Sequence, residues 1–164
     1  MRAYPATAML REMRSLRRGS DVTDRLDNAL ATKLLGVLRF RRHHFMAGRA
    51  TRHAAVFLAN SVTEQAQADA IARRMVELGA EPTFSPAAFL RRSHAPFLED
   101  GNGLGEMARE AHDATRLGMS ALVALARFVG AADPTTRKML LDIVAEDQAR
   151  AKDLALLAAG SKPS

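Results

Sequence analysis

The sequence predicts an all-α domain built on four long helices, and three observations predict it. Of 164 residues, 48% are hydrophobic but only 5% aromatic, with one tyrosine and no tryptophan, while alanine, leucine and methionine are plentiful. That bias suits helices over sheets. Four long stretches carry apolar residues at helical spacing. Between them lie two short breaks and one long one, each marked by glycine or proline. The length is that of one domain, with enough apolar residues for a core.

Residues 1–20 are expected to form a basic N-terminal tail. Arg2, Arg11, Arg14, Arg17 and Arg18 against Glu12 alone supply +4 of the chain's net +6. Met9, Leu10, Met13 and Leu16 fall at helical spacing opposite the arginines, which makes the segment a candidate contact for DNA, an anionic membrane or a partner groove. The alternatives are a short helix docked on the domain's own surface, or a disordered leader. Gly19-Ser20-Asp21 is the expected break, and the domain proper is expected over residues 21–158.

The first helix should begin near Thr23-Asp24 and run to about Met46, with Leu26, Leu30, Val37, Phe40 and His44 on one stripe and Lys33 inside it. After a break at Ala47-Gly48, the second runs from about Thr51 to Leu78 and stops at Gly79, with Phe57, Ile71, Met75 and Leu78 on its stripe. Residues 80–103 carry Pro82, Pro86, Pro96 and Gly101-Asn102-Gly103. Within them Ser85-Pro86 reads as an N-cap followed by proline at the first helical position, so a short helix through Phe89 is predicted. About 24 extended residues reach roughly 80 Å, twice the length of a 27-residue helix at about 40 Å. The segment can therefore cross the whole bundle, which sets the third helix parallel to the second.

The third helix spans about Leu104 to Val129, with Met107, Ala111, Thr115, Gly118, Leu122 and Leu125 on its stripe. Gly130-Ala131-Ala132-Asp133-Pro134 makes a tight turn in which Asp133 caps the fourth helix. That helix runs to about Leu157, with Leu140, Ile143, Asp147, Arg150 or Ala151, and Leu154 inward. Residues 159–164 form a short C-terminal tail.

Polar groups interrupt all four stripes near their midpoints: Lys33, Glu64 with Gln67, Thr115, and Asp147 with Arg150. Glu64 and Gln67 are three apart, as are Asp147 and Arg150, so each pair shares a helix face. One residue, an i, i+3 pair, one residue and a second pair is the layout by which di-iron carboxylate bundles project ligands inward.

At these positions the chain resembles the ferritin-like superfamily, in particular bacterioferritins and Dps-like proteins, over about residues 22–158. The resemblance rests on Leu26-Asp27-Asn28-Ala29-Leu30-Ala31-Thr32, on Gln65 to Pro86 with its Leu78-Gly79-Ala80-Glu81-Pro82 ending, and on Asp133-Pro134-Thr135-Thr136. It implies a four-helix bundle with a long crossover between the second and third helices. It also implies that glutamates stand in the family where this chain has Lys33 and Thr115, and Glu-x-x-His motifs where it has Glu64 with Gln67 and Asp147 with Arg150. By the same comparison, a redox-active tyrosine corresponds to Phe40 and a haem-ligating methionine to Gln65. The expectation is therefore no di-iron centre, no haem and no catalytic residue.

A di-iron centre needs several carboxylates and imidazoles, and two basic side chains in the same cavity would repel the metal. Lys33 and Arg150 instead neutralise Glu64 and Asp147. Salt bridges are expected in place of the metal, from Lys33 to Glu64 and from Arg150 to Asp147. The competing expectation is that Lys33 and Arg150 snorkel outward and leave a two-acid site for one weak ion. Of the remaining histidines, His43 and His44 follow Arg41-Arg42 and read as a solvated basic patch. His94 and His112 are lone histidines, and His53 stands at a helix start.

These readings point to a ferroxidase-inactive, ferritin-like cage subunit with a structural or iron-storage shell role, as a homo-oligomer or in a mixed cage with a ferritin-like paralogue. One alternative is a Dps-like DNA-binding protein acting through its arginine-rich tail. Another is an atypical metal-binding ferritin-like oxidase. The absence of cysteine excludes disulfides, thiolate nucleophiles, cysteine-zinc sites and iron–sulfur clusters. On this reading no apolar run approaches the ~20 residues of a bilayer span and the N-terminus lacks the apolar core of a secretory signal, so a cytoplasmic location is expected.

Overall fold

The computed structural model describes residues 6–48, 52–99 and 103–160, with side chains from residue 19 onward. Among them the chain forms α1 (Ala6–Met46), α2 (Arg52–Glu77), α3 (Pro86–Arg92), α4 (Leu104–Val129) and α5 (Pro134–Ala159), with a 3-10 turn at Gly130–Ala132 before α5. Apart from the start of α1, the long elements lie where the periodicity places them, and the short helix in the crossover starts at Pro86, after Ser85.

The register of the pairs fixes the topology. Lys33 meets Glu64, Phe40 meets Phe57, and His44 meets Ala54, so α1 and α2 are antiparallel. Thr32 lies against Gly118 while Arg39 meets Glu110, so α1 and α4 are antiparallel as well. Hence α2 and α4 run parallel, as the crossover length predicts. Residues 80–99 reach across the bundle and are fastened to α1. Asp27 accepts from the Thr83 amide at 2.9 Å and pairs with Arg92 at 2.7 Å. Further along, the Thr32 hydroxyl accepts from the His94 amide at 2.9 Å, and Arg39 donates to the Pro96 carbonyl at 2.5 Å.

The start of α1 corrects an expectation. The helix begins at Ala6 and passes through Gly19-Ser20-Asp21 without a break. A glycine inside a helix costs only about 1 kcal/mol, and no proline interrupts residues 6–46. Thr23 donates back to the carbonyls of Ser20 and Gly19, a bond made by threonines inside helices. Extrapolating the same register, the ends of α2 and α4 lie level with about residue 21, so roughly the first 15 residues of α1, about 22 Å of helix, extend past both. Arg2, residues 101 and 102, and the 161–164 portion of the expected C-terminal tail lie outside the described residues, as do the side chains of Arg11, Arg14, Arg17 and Arg18.

A second correction concerns α4. With its 3-10 turn it is long and apolar enough to cross a membrane by length and composition, because only Arg127 interrupts residues 117–132. Met107, Ala111, Leu122 and Leu125 are buried in the bundle, so part of this apolarity supplies the core, while Leu117 on another face is half exposed.

Two apolar clusters fill the bundle. One holds Leu26, Leu30, Ile71, Met75, Leu122 and Leu140; the other holds Phe40, Phe57, Met107, Ala111 and Leu154. The register places one toward each end and leaves a polar layer between them.

Candidate functional site

That layer is where the interrupted stripes converge. Lys33, Glu64, Gln67, Thr115, Asp147 and Arg150 are all buried, and Lys33 and Arg150 are only 3% and 5% exposed. The snorkelling expectation is thereby overturned. Both basic side chains turn inward because two carboxylates wait there, and a paired charge in the interior is tolerable where an unpaired one is not.

Lys33 Nζ lies 2.7 Å from Asp147 Oδ2 and 3.3 Å from Glu64 Oε1. Arg150 Nη2 lies 2.9 Å from Asp147 Oδ1, and its Nη1 donates directly to Glu64 Oε1. Both expected pairs form, and the two crossed pairs form with them, so each base bridges both acids. Gln67 Oε1 accepts from Arg150 at 3.2 Å while its amide donates to Glu146 at the surface at 2.8 Å. The Arg150 guanidinium also stands 5.8 Å from the centre of the Phe40 ring. Thr115 shares the burial but not the network, since its hydroxyl donates to Ala111 on its own helix.

Gly36, which sequence reasoning passed over, is part of this site. A Cβ at position 36 would stand 2.5 Å from Glu64 Oε2, so the absence of a side chain is what admits the carboxylate. A glycine one turn from Lys33 in an otherwise helical run was the available signal.

Burial lowers Lys33 to about 8 and Arg150 to about 10, and it raises Asp147 against the pull of Lys33. Both bases therefore remain cationic at neutral pH, and two positive charges balance Glu64 and Asp147. The donor set does not fit a di-iron centre. The carboxylates already accept from Lys33 and Arg150, and among the described residues no three His, Cys, Asp or Glu side chains converge as metal ligands.

The histidines behave differently from the expected solvated patch. His43 is 1% exposed, with its ring 5.2 Å from that of Phe57 and its Nε2 3.4 Å from Glu110 Oε2. Arg39, one turn earlier, is also buried and donates to Glu110 Oε1 at 2.7 Å. The i, i+4 spacing of Arg39 and His43 puts both toward α4, which is hidden when 41–44 is read as a block of charge. Burial first, then Arg39 and Arg42, holds His43 down at about 4, and burial raises Glu110. His44 bonds the Ala54 carbonyl at 2.8 Å, His94 lies 3.0 Å from the Thr32 hydroxyl, and His112 pairs with Asp113. His53 stands at the second position of α2.

An antiparallel bundle whose long crossover joins parallel α2 and α4, with polar residues pointing inward at one level, defines the architectural class of the di-iron carboxylate bundles. Residues 23–160 match the family described as the ferritin-like domain, and the chain belongs to that family. Solved structures share its fold. The dodecameric thioferritin of Bacteroides fragilis, a bacterioferritin-related protein, superposes with a TM-score of 0.81 at 19% identity, over 86% of each chain. Dps from Thermosynechococcus elongatus gives 0.80 at 20% identity, over 85% of this chain and 91% of its own. The Desulfovibrio desulfuricans bacterioferritin, a protein with a di-iron site, gives 0.75 at 19%, over 87% and 81%. No curated protein matches the chain in sequence.

Proposed function

We propose that this protein is a ferroxidase-inactive subunit of a ferritin-like cage, with a structural or iron-storage shell role, alone or beside a ferritin-like paralogue in the cytoplasm. The observation that carries the reading is the buried bridging of Glu64 and Asp147 by both Lys33 and Arg150. These contacts supply the counter-charge that metal ions would otherwise supply. No residue of this chain is assigned a catalytic role, and neither di-iron nor haem is expected as a cofactor. The reading of the chain as a cage subunit draws on its family and on the dodecameric assembly of the Bacteroides fragilis protein.

Stopped-flow absorbance with two equivalents of ferrous iron per chain tests the inactivity. Oxidation should stay at the buffer rate, and a fast saturable phase abolished by Glu64→Ala would restore the reading as an atypical ferritin-like oxidase. Light scattering tests assembly: only monomer or dimer at micromolar concentration refutes the cage.

A second reading, DNA binding through the N-terminal segment, is favoured by the continuation of α1 past the bundle end in the part of the chain that carries +4 of the net charge. Such affinity would come from phosphate neutralisation and fall steeply with salt. Removal of residues 1–20 should abolish DNA retardation and leave assembly intact; a truncated chain that shifts DNA equally well at the same salt excludes this segment.

A further inference from the structure

At the corner where α4 gives way to α5, an open cavity of about 640 Å³ is lined by Val123, Ala126, Arg127, Ala131, Arg137 and Leu141, with Gly130 at the turn. Gly130 adopts φ +61°, a conformation that favours glycine, and the sharp turn brings the last turn of α4 and the start of α5 to one cavity. Its charged lining residues are both arginines, and no carboxylate lines it.

Two neighbouring bases are matched, while Arg25 lies over the Phe128 ring. Arg74 pairs with Glu77 at 2.8 Å and with Asp133 at 3.0 Å, and Lys138 pairs with Asp142 at 2.6 Å. Asp133 is further committed to the cap of α5, accepting from the Thr136 amide at 3.0 Å. Among the described residues, neither Arg127 nor Arg137 has an ion-pair partner. Arg127, in the last turn of α4, is favourably placed against that helix's dipole. Arg137 is not, because it lies near the start of α5, where a cation meets the positive end of the helix. An anion between the two arginines satisfies both.

We propose that this corner binds a phosphate-class oxyanion between the guanidinium groups of Arg127 and Arg137. Guanidinium forks match phosphate oxygens in geometry as well as charge. The cavity is far larger than a phosphate ion, and the apolar surface of Val123, Ala126 and Leu141 suits the organic part of a phosphate ester. The shared chemistry is the phosphate group, whether free or esterified. The proposal does not depend on the state of the central layer.

Isothermal titration of the full chain at low ionic strength, with inorganic phosphate and separately with phenyl phosphate, tests it. Saturable binding is expected, weakened about tenfold or more in the Arg127→Gln/Arg137→Gln double variant. Arg→Lys variants should retain weaker binding, since charge survives and the fork does not. Both arginines are exposed, so unchanged helicity and melting temperature in the glutamine variant separate lost binding from lost folding. Phenyl phosphate binding about fivefold or more tighter assigns the site to phosphate esters, and equal affinity assigns it to the free ion. Absence of saturable binding for both probes, or binding unchanged in the folded glutamine variant, overturns the proposal.

Discussion

The central layer and the Arg39–His43–Glu110 cluster are both buried and both join basic residues to carboxylates, yet they balance charge differently. In the layer, two bases meet two acids, and each base touches both. In the cluster, Glu110 holds Arg39 through Oε1, while Glu110 Oε2 and His43 Nδ1 are buried without hydrogen-bond partners. No atom of the central layer is among the described buried atoms left unpaired. The layer endures as a fully charged set because its stoichiometry closes. The cluster endures because His43 is held neutral, so no further positive charge is added beside Arg39 and Arg42.

The largest expected effect breaks the closed set. Lys33→Met should destabilise by roughly 3 to 5 kcal/mol, because it strands carboxylate charge in the interior. Pairing it with Asp147→Leu should recover most of the loss, and more than pairing it with Glu64→Leu, since the Lys33–Asp147 contact is the shorter. Double-mutant cycles by chemical denaturation under reversible conditions measure both couplings. Couplings near zero would mean that the four charges act independently.

Acid should break the open cluster next. His43 is held at about 4, below its ordinary 6.5, so the folded chain favours the neutral ring. The stability tied to it is fully present above pH 6.5 and is lost as pH falls towards 4, by on the order of a few kcal/mol. Glu110, raised by burial, works in the opposite sense, with its share present below pH 4.5 and lost as pH rises through its folded value. A His43→Leu variant should show a flatter stability profile between pH 6.5 and 4. An acid slope identical to that of the parent would assign the titration to other groups.

Two smaller changes sharpen the contrast within the layer. Gly36→Ala should cost about 1 to 3 kcal/mol in a thermal or chemical melt, because its methyl displaces a carboxylate pinned by two bases. Thr115→Ala should cost less than about 1 kcal/mol, since its hydroxyl serves only its own helix. Equal losses for the two would show that Glu64 can move aside freely.

Much of the fold was legible from spacing. The stripe residues of α4 and α5 are buried as their periodicity requires, and prolines and glycines marked the breaks around both. The start of α1 was not legible, because Gly19-Ser20-Asp21 satisfies the local chemistry of a helix break as well as that of a tolerated helix interior. The His43 cluster was hidden for a different reason: its partners Glu110 and Pro96 are far away in the chain.

By itself, the sequence determined that charged residues would stand on the inward stripes of this bundle, since helical spacing puts Lys33, Glu64, Asp147 and Arg150 at those positions. It determined the sum of those charges too. Only the tertiary structure decided which base meets which acid, that Lys33 and Arg150 stay inside, and that Gly36 makes room for Glu64. A helix's period tells each side chain which way to face, but pairing depends on the rotation and separation of four helices at once.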